Sequence, residues 1–354
     1  MKALSTRVLT LDRLVVLGLV VLLAGCLRAD PTPFTPFLDG DEIVRELPSD
    51  EGGVKFLALG DWGRMGDDFQ NEVARSMGDV AREIDADFVV TVGDNFYPTG
   101  VTSTYDPHWI QSFEAVYTDS SLMIPWYITL GNHDYKGDVE AQLRYDGLSE
   151  RWELPARYYT RVEPIDDTTS VRLLFIDTLP IYRLRYDRIR GQRPQEHRAA
   201  AYEQLRWIDS TLTASTSQWT VVVGHHPIFS GGFHGENEIL RDWLLPILRK
   251  HEVDAYIAGH DHHLEYLYDG QGMHHFVSGG GSRLRRVKSH RYTQFAQTRP
   301  GFLSVAISPL QMLAQFVDHQ GNILFGTVID RRVDPPLVAE DDPEPAVLPD
   351  STGQ

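Results

Sequence analysis

Five short runs along this chain concentrate side chains that hold metal ions, each led by a glycine: Gly60-Asp61-Trp62-Gly63, Gly93-Asp94-Asn95-Phe96-Tyr97, Gly131-Asn132-His133-Asp134, Gly224-His225-His226-Pro227 and Gly259-His260-Asp261-His262. Carboxylate, carboxamide, imidazole and phenol are hard or borderline donors. With no thiol among them, they suit Fe, Mn or Zn and disfavour Cu(I) or an iron–sulfur cluster. Taken singly, each run reads equally well as a turn with a hydrogen-bonded histidine. Coincidental turns would not repeatedly place Asp, Asn or His beside Gly after an apolar run, so together they read as one site. Two ions about 3.5–4 Å apart, bridged by one carboxylate, can clamp a phosphate and generate hydroxide near neutral pH. Asp94 is the natural bridge.

The elements that must position these runs are legible from apolar patterning. Residues 54–59, 88–92, 126–130, 171–176, 219–223 and 255–258 read as buried strands that end at or near a polar run. Between them lie amphipathic stretches, including an apolar helical face of Val73, Met77, Val80, Ala81 and Ile84, and helices near 198–212 and 238–250. Beyond Gly259 the pattern turns to strands with few helices, at 264–268, 274–278, 303–307, 313–317 and 323–328. The expected fold is α/β, a two-sheet αββα sandwich with its site beyond the carboxyl ends of the strands, where loops from several strands converge.

The order and content of the five runs resemble the calcineurin-like metallophosphoesterases, and among them the purple acid phosphatases of the small tartrate-resistant type. The resemblance extends from about residue 54 to 330 and includes the stretch Gly259-His260-Asp261-His262-His263-Leu264-Glu265-Tyr266-Leu267. Two departures from the wider superfamily narrow it. Gly63 stands where most members place a ligand histidine, and the second run ends in Tyr97, a phenolate ligand to Fe(III) in the purple enzymes. One imidazole is lost and one hard anionic oxygen gained, which favours a ferric ion.

Carried over to this chain, the resemblance implies a dinuclear centre of Fe(III) plus a divalent ion (Fe, Zn or Mn). Asp61, Tyr97 and His262 would hold the ferric ion, Asp94 would bridge, and Asn132, His225 and His260 would hold the second ion. His133 and His234 would face the substrate. His226 and His263 match no ligand position and read as outer-layer or surface groups, while Asp134 is expected to orient a neighbouring ligand. The implied activity is that of a phosphoric monoester hydrolase, an acid phosphatase working by in-line attack of metal-bound hydroxide, with protonated His133 or His234 as general acid. A Mn or Zn phosphodiesterase or nucleotidase in the same cage is the alternative, and an inactive surface-binding lipoprotein is a third reading.

The rest of the chain frames that site. At 42% hydrophobic and 23% charged residues the composition is globular. A formal charge of −17 argues against nucleic acid as a partner. No partner protein is inferred, and the substrate is expected to be a small phosphate ester, whose charge bound cations would offset. Lys2, Arg7 and Arg13 precede an apolar run over 14–24, too short for the roughly 20 residues of a membrane span but suited to a signal peptide over 1–25. The run ends Leu23-Ala24-Gly25-Cys26, which resembles a bacterial lipobox with Cys26, the sole cysteine, as the lipidated residue. Export to the cell envelope follows, in the periplasm or anchored at the outer membrane or surface, and Leu27 in place of Asp favours the outer membrane. A Pro-rich acidic tether is expected over 26–53, the catalytic domain over 54–332, and an acidic Pro-rich disordered tail over 333–354. Two basic stretches stand out, 183–198 and 283–291. The first is expected to form a long exposed loop over the cleft, the second a solvated loop.

Overall fold

In the computed structural model the described residues are 53–184 and 195–332, with backbone alone for 195–197. The expected signal peptide, Cys26, tether and tail, and most of the loop over 183–198, lie outside them.

Fourteen strands are described: β1 (Val54–Leu59), β2 (Phe88–Thr91), β3 (Trp126–Tyr127), β4 (Trp152–Glu153), β5 (Tyr159–Pro164), β6 (Ser170–Ile176), β7 (Trp219–Gly224), β8 (Ala255–Ala258), β9 (Leu264–Tyr268), β10 (His274–Ser278), β11 (Thr293–Gln297), β12 (Gly301–Ile307), β13 (Gln311–Asp318) and β14 (Ile323–Asp330). They form two mixed seven-stranded sheets, ordered β14-β13-β12-β1-β2-β3-β4 and β11-β9-β10-β8-β7-β6-β5. In the first, β1 to β4 run parallel and β12 to β14 close one side as an antiparallel meander. In the second, β6, β7, β8 and β10 run parallel, with β5 and β9 antiparallel at the flanks. This is the expected α/β sandwich.

Strand periodicity accounts for the layering. Successive side chains of a strand point to opposite faces. Val171, Leu173 and Phe175 of β6, Val221 and Val223 of β7, and Ala255 and Ile257 of β8 join the core shared with the first sheet. Their neighbours Leu174, Ile176, Val222, Tyr256 and Ala258 join a second core. That second core is covered by α4 (Gln195–Thr213), α5 (Glu238–Trp243) and α6 (Leu245–Lys250), whose Leu205, Ile208, Leu240 and Leu248 point into it. On the first sheet, α1 (Gln70–Ile84) buries the face read from the sequence, Val73, Met77, Val80, Ala81 and Ile84. Two shorter helices, α2 (Val139–Tyr145) and α3 (Thr178–Tyr182), follow site loops.

Several elements differ from the sequence reading. The strand expected over 126–130 is two residues long, and the single helix expected over 238–250 is two helices meeting at Leu244, with a proline in the first turn of the second. Proline lacks the N–H a continuous helix needs there. Helix α4 starts at Gln195, so the end of the stretch read as a loop over 183–198 is helical. Leu184, at its start, is buried in the second core.

Candidate metal centre

The parallel strands of both sheets end at the same edge of the sandwich, and each polar run lies just beyond such an end. Asp61, Asp94 and His260 each follow a glycine and take left-handed backbone torsions, with φ of 60°, 52° and 69°. Such torsions strain a residue with a side chain, and they persist where the surrounding packing holds them. Here they turn three donors abruptly off their strands. The first two loops share an aromatic base: Trp62 and Phe96 are fully buried with ring centroids 5.7 Å apart, and both pack among Trp109, Phe113, Tyr117, Trp126 and Trp152.

Two donor sets result. The Tyr97 hydroxyl lies 2.8 Å from Asp61 Oδ1, 2.7 Å from Asp94 Oδ2 and 3.2 Å from His262 Nε2. On the other side of the same carboxylate, Asp94 Oδ1 is 3.4 Å from His225 Nε2, which is 3.3 Å from Asn132 Oδ1 and 3.2 Å from His260 Nδ1. Asp94 therefore offers one oxygen to each set. His225 Nδ1 lies 2.9 Å from the Val92 carbonyl and His262 Nδ1 2.8 Å from the Arg283 carbonyl, so in each ring Nδ1–H donates and Nε2 keeps its lone pair turned inward.

The electrostatics fit cations at both places. Burial, then the charge of Asp94, pushes the Asp61 carboxyl well above the usual range. Burial also pushes the Tyr97 phenol well up, reinforced by Asp61 and Asp94. Asp94 is raised by burial, but His225 and His133 outweigh that and hold it low. Burial holds His260 well below the ordinary imidazole range and His262 at about 4, so both rings are neutral donors. Crowded, buried oxygens whose ionisation a cation would relieve, set against neutral imidazoles, form a cage for metal ions.

All seven expected ligands thus converge. The calcineurin-like phosphoesterase family pattern matches residues 54–264. Purple acid phosphatase 3 of Arabidopsis thaliana is 39% identical over 290 residues, 77% of each chain, and tartrate-resistant acid phosphatase type 5 of Sus scrofa is 35% identical over 300 residues, 79% of this chain and 87% of that one. This chain belongs to the calcineurin-like phosphoesterases, in the purple acid phosphatase branch. Two solved structures share the fold: GAP50, the anchor in the inner membrane complex of Plasmodium (TM-score 0.71, 24% identity, 80% of this chain and 90% of that one), and the purple acid phosphatase PPD1 of yellow lupin (0.59, 17%, 81% and 55%).

Within this phosphoesterase the departure at Gly63 has a steric cause. A Cβ there would meet the Asn95 carbonyl oxygen at 1.8 Å, while the Gly63 carbonyl accepts from the Tyr97 N–H at 2.8 Å. The backbone that seats Tyr97 thereby excludes a side chain at 63. Gly63→Ala is expected to cost about 3 kcal/mol or more, because the contact is with main chain that cannot step aside. Thermal unfolding checks this, and an unshifted midpoint would refute the steric account.

Other residues take clear positions. Asp134 accepts from the Gly131 and Asn95 N–H groups and from Gln142 Nε2, fixing the two loops that carry Asn132 and Asp94. His133 donates its backbone N–H to Asp94 Oδ1 at 2.6 Å, and its Nδ1 lies 2.6 Å from the Pro98 carbonyl. His226 and His263 are buried, not at the surface. His226 Nδ1 lies 2.7 Å from Thr178 Oγ1, and its ring packs 4.5 Å from that of His260, close enough for His225, His226 and His260 to form a potential donor group. His263 Nε2 lies 2.9 Å from Glu265 Oε2.

Three contributors go beyond the roles read from the sequence. Asp261 points away from the two histidines flanking it, accepts from Ser230 Oγ at 2.6 Å, and holds His234 Nδ1 at 2.9 Å. The His234 ring then stacks 4.0 Å from His260. The Arg64 guanidinium covers the Tyr97 ring at 3.7 Å, with Nε donating to Ser282 Oγ at 3.1 Å. At the end of β6, Asp177 accepts from Tyr135 Oη, and Thr178 is the partner of His226. The helical turn starting at Thr178 left a signal, an Asp directly after a buried strand. Nothing local to the sequence marks the other two.

Proposed function

We propose that this phosphatase is a dinuclear acid phosphatase hydrolysing phosphate monoesters, with Fe(III) held by Asp61, Tyr97 and His262, a divalent ion held by Asn132, His225 and His260, and Asp94 between them. The observation that carries this reading is Asp94 facing both donor sets, one oxygen to each. When bound, the ion pair supplies Lewis acidity toward phosphoryl oxygens and an acidified water as nucleophile. Every other task falls to the protein. Val92 and Arg283 fix the imidazole tautomers through their carbonyls. Asp134 sets the spacing of the Asp94 and Asn132 loops. As the bond from phosphorus to the ester oxygen breaks and one to the water oxygen forms, the leaving alkoxide needs a proton. His234, gripped at Nδ1 by Asp261 and partly exposed with Nε2 beside Arg285, is the expected proton donor, and His133, whose backbone N–H donates to Asp94, is the second candidate. A direct displacement needs no phosphorylated side chain.

Turnover of a chromogenic phosphomonoester, with iron, zinc and manganese measured on the same sample, tests this reading; a metal-replete protein without turnover would end it. Asp261→Asn should lower kcat by roughly 10-fold to 100-fold, by loosening His234, while leaving metal content unchanged. Equal kcat in variant and wild type would remove His234 and Asp261 from proton delivery.

The proposal extends to location. Export with lipid on Cys26 is supported by the run Leu23-Ala24-Gly25-Cys26 behind a basic, then apolar, stretch. Cys26→Ala should lose labelling by a fatty-acid probe and partition away from membranes. Equal labelling would refute it.

A further inference from the structure

Phe233 is 76% exposed. A lone exposed apolar residue needs no explanation in itself, but this one stands at the site. Its ring meets that of His234 edge-on, centroids 5.1 Å apart, and His234 in turn stacks on His260. The Arg285 guanidinium lies 5.6 Å over the Phe233 ring, and its Nη1 is 3.4 Å from His234 Nε2. Arg285 is itself tied to the centre, its backbone N–H donating to the His262 carbonyl at 2.9 Å. The second basic stretch is otherwise neutralised in part, Arg283 by Asp68 and Arg291 by Glu236. Arg285 instead lies against Phe233 and His234.

This arrangement has the marks of a platform. A cation over the ring and an imidazole perpendicular to it bias the orientation of Phe233, which reduces the side-chain freedom lost when a ligand settles on it. The Phe233 ring stands nearly perpendicular to that of His234, so a ligand ring stacked on it would neighbour an ester oxygen protonated by His234. We propose that Phe233 and Arg285 select phosphate monoesters whose alcohol carries a flat aromatic group through a short spacer, as in a nucleoside 5′-monophosphate. The inference rests on the phosphatase reading above and adds its substrate class. Stacking of a base on an aromatic side chain is sequence-tolerant, so the platform would accept any of the bases.

The test pairs two substrates with the same leaving oxygen, adenosine 5′-monophosphate and ribose 5-phosphate, which differ in the base alone. For the metal-loaded wild type, kcat/KM for the nucleotide should exceed that for the sugar phosphate by roughly 10-fold, with the difference in KM, because the ring binds alike in ground and transition states. Phe233→Ala should bring the ratio close to one, and Phe233→Trp should restore it. Saturation-transfer NMR with metal-free protein gives a readout independent of turnover: the base protons of the nucleotide should receive saturation from wild type and lose it in Phe233→Ala. A wild-type ratio near one, or a ratio that survives Phe233→Ala, overturns the platform while leaving the phosphatase standing. Absence of hydrolysis of both substrates by the metal-loaded protein overturns both.

Discussion

Tyr97→Phe should abolish the visible colour of the oxidised, iron-loaded protein while the fold survives. The phenol is buried and its oxygen is shared among Asp61, Asp94 and His262. Removing that oxygen leaves the ring, its contact with Arg64 and the backbone bond to Gly63 in place. Core area is therefore unchanged, and the loss falls on the oxygen alone. Even the outer partners of metal ligands are worth 10-fold to 100-fold in affinity, so iron retention should drop by about 100-fold or more, and activity with it. Absorption spectra of both proteins, with iron content alongside and circular dichroism to verify the fold, decide the matter. A ferric, iron-loaded wild type without a visible band would sink the assignment of Tyr97 as a phenolate ligand, though a hydrolase using other metals would remain possible.

Asp94→Asn should be the most damaging single change to catalysis. This side chain turns one oxygen to each donor set, and an amide cannot offer two anionic oxygens. We expect kcat/KM to fall by about 1000-fold or more and metal content to fall from two ions per chain to one or none. Stability should fall both with and without metal. In the metal-free protein the surroundings hold the Asp94 carboxyl below its ordinary value, so at neutral pH its charge is stabilised by the fold and the neutral amide forfeits that contribution. With metal, the wild type gains binding energy that the variant lacks, and the gap widens. Two ions retained with ordinary turnover would take Asp94 out of the bridging position.

The centre was unusually open to a sequence reading because each donor lies close to two strong local signals, a buried apolar strand and the glycine that ends it. Asp61, Asp94 and His260 each stand directly after such a glycine, the position where the chain leaves the sheet. Legibility failed where placement depends on a distant partner. Asp261 reads like its neighbours His260 and His262, yet its side chain goes the other way, to Ser230 and His234. Arg64 meets Tyr97 only because two loops share one aromatic base. Strand β4 is two residues long and β5 is mostly half-exposed, and the polar positions of β5 and β11 weaken the period-two signal. The break in the helix expected over 238–250 was written in the chain as Pro246, and went unread.

The two donor sets have a consequence for how this molecule assembles. Neither belongs to one sheet: Asp61 and Tyr97 leave the first sheet and meet His262 from the second, and Asn132 leaves the first and meets His225 and His260. Asp61 and His260 stand 199 residues apart in sequence, joined by a hydrogen bond across the seam. Closing a span of that length is entropically slow and must precede any reward from the contact it makes. Formed strands are therefore not enough to capture an ion tightly; the sandwich has to shut first. Each ion would then act as a cross-link between halves of the fold, as a disulfide does in other proteins, in a chain whose single cysteine leaves it none to form within itself.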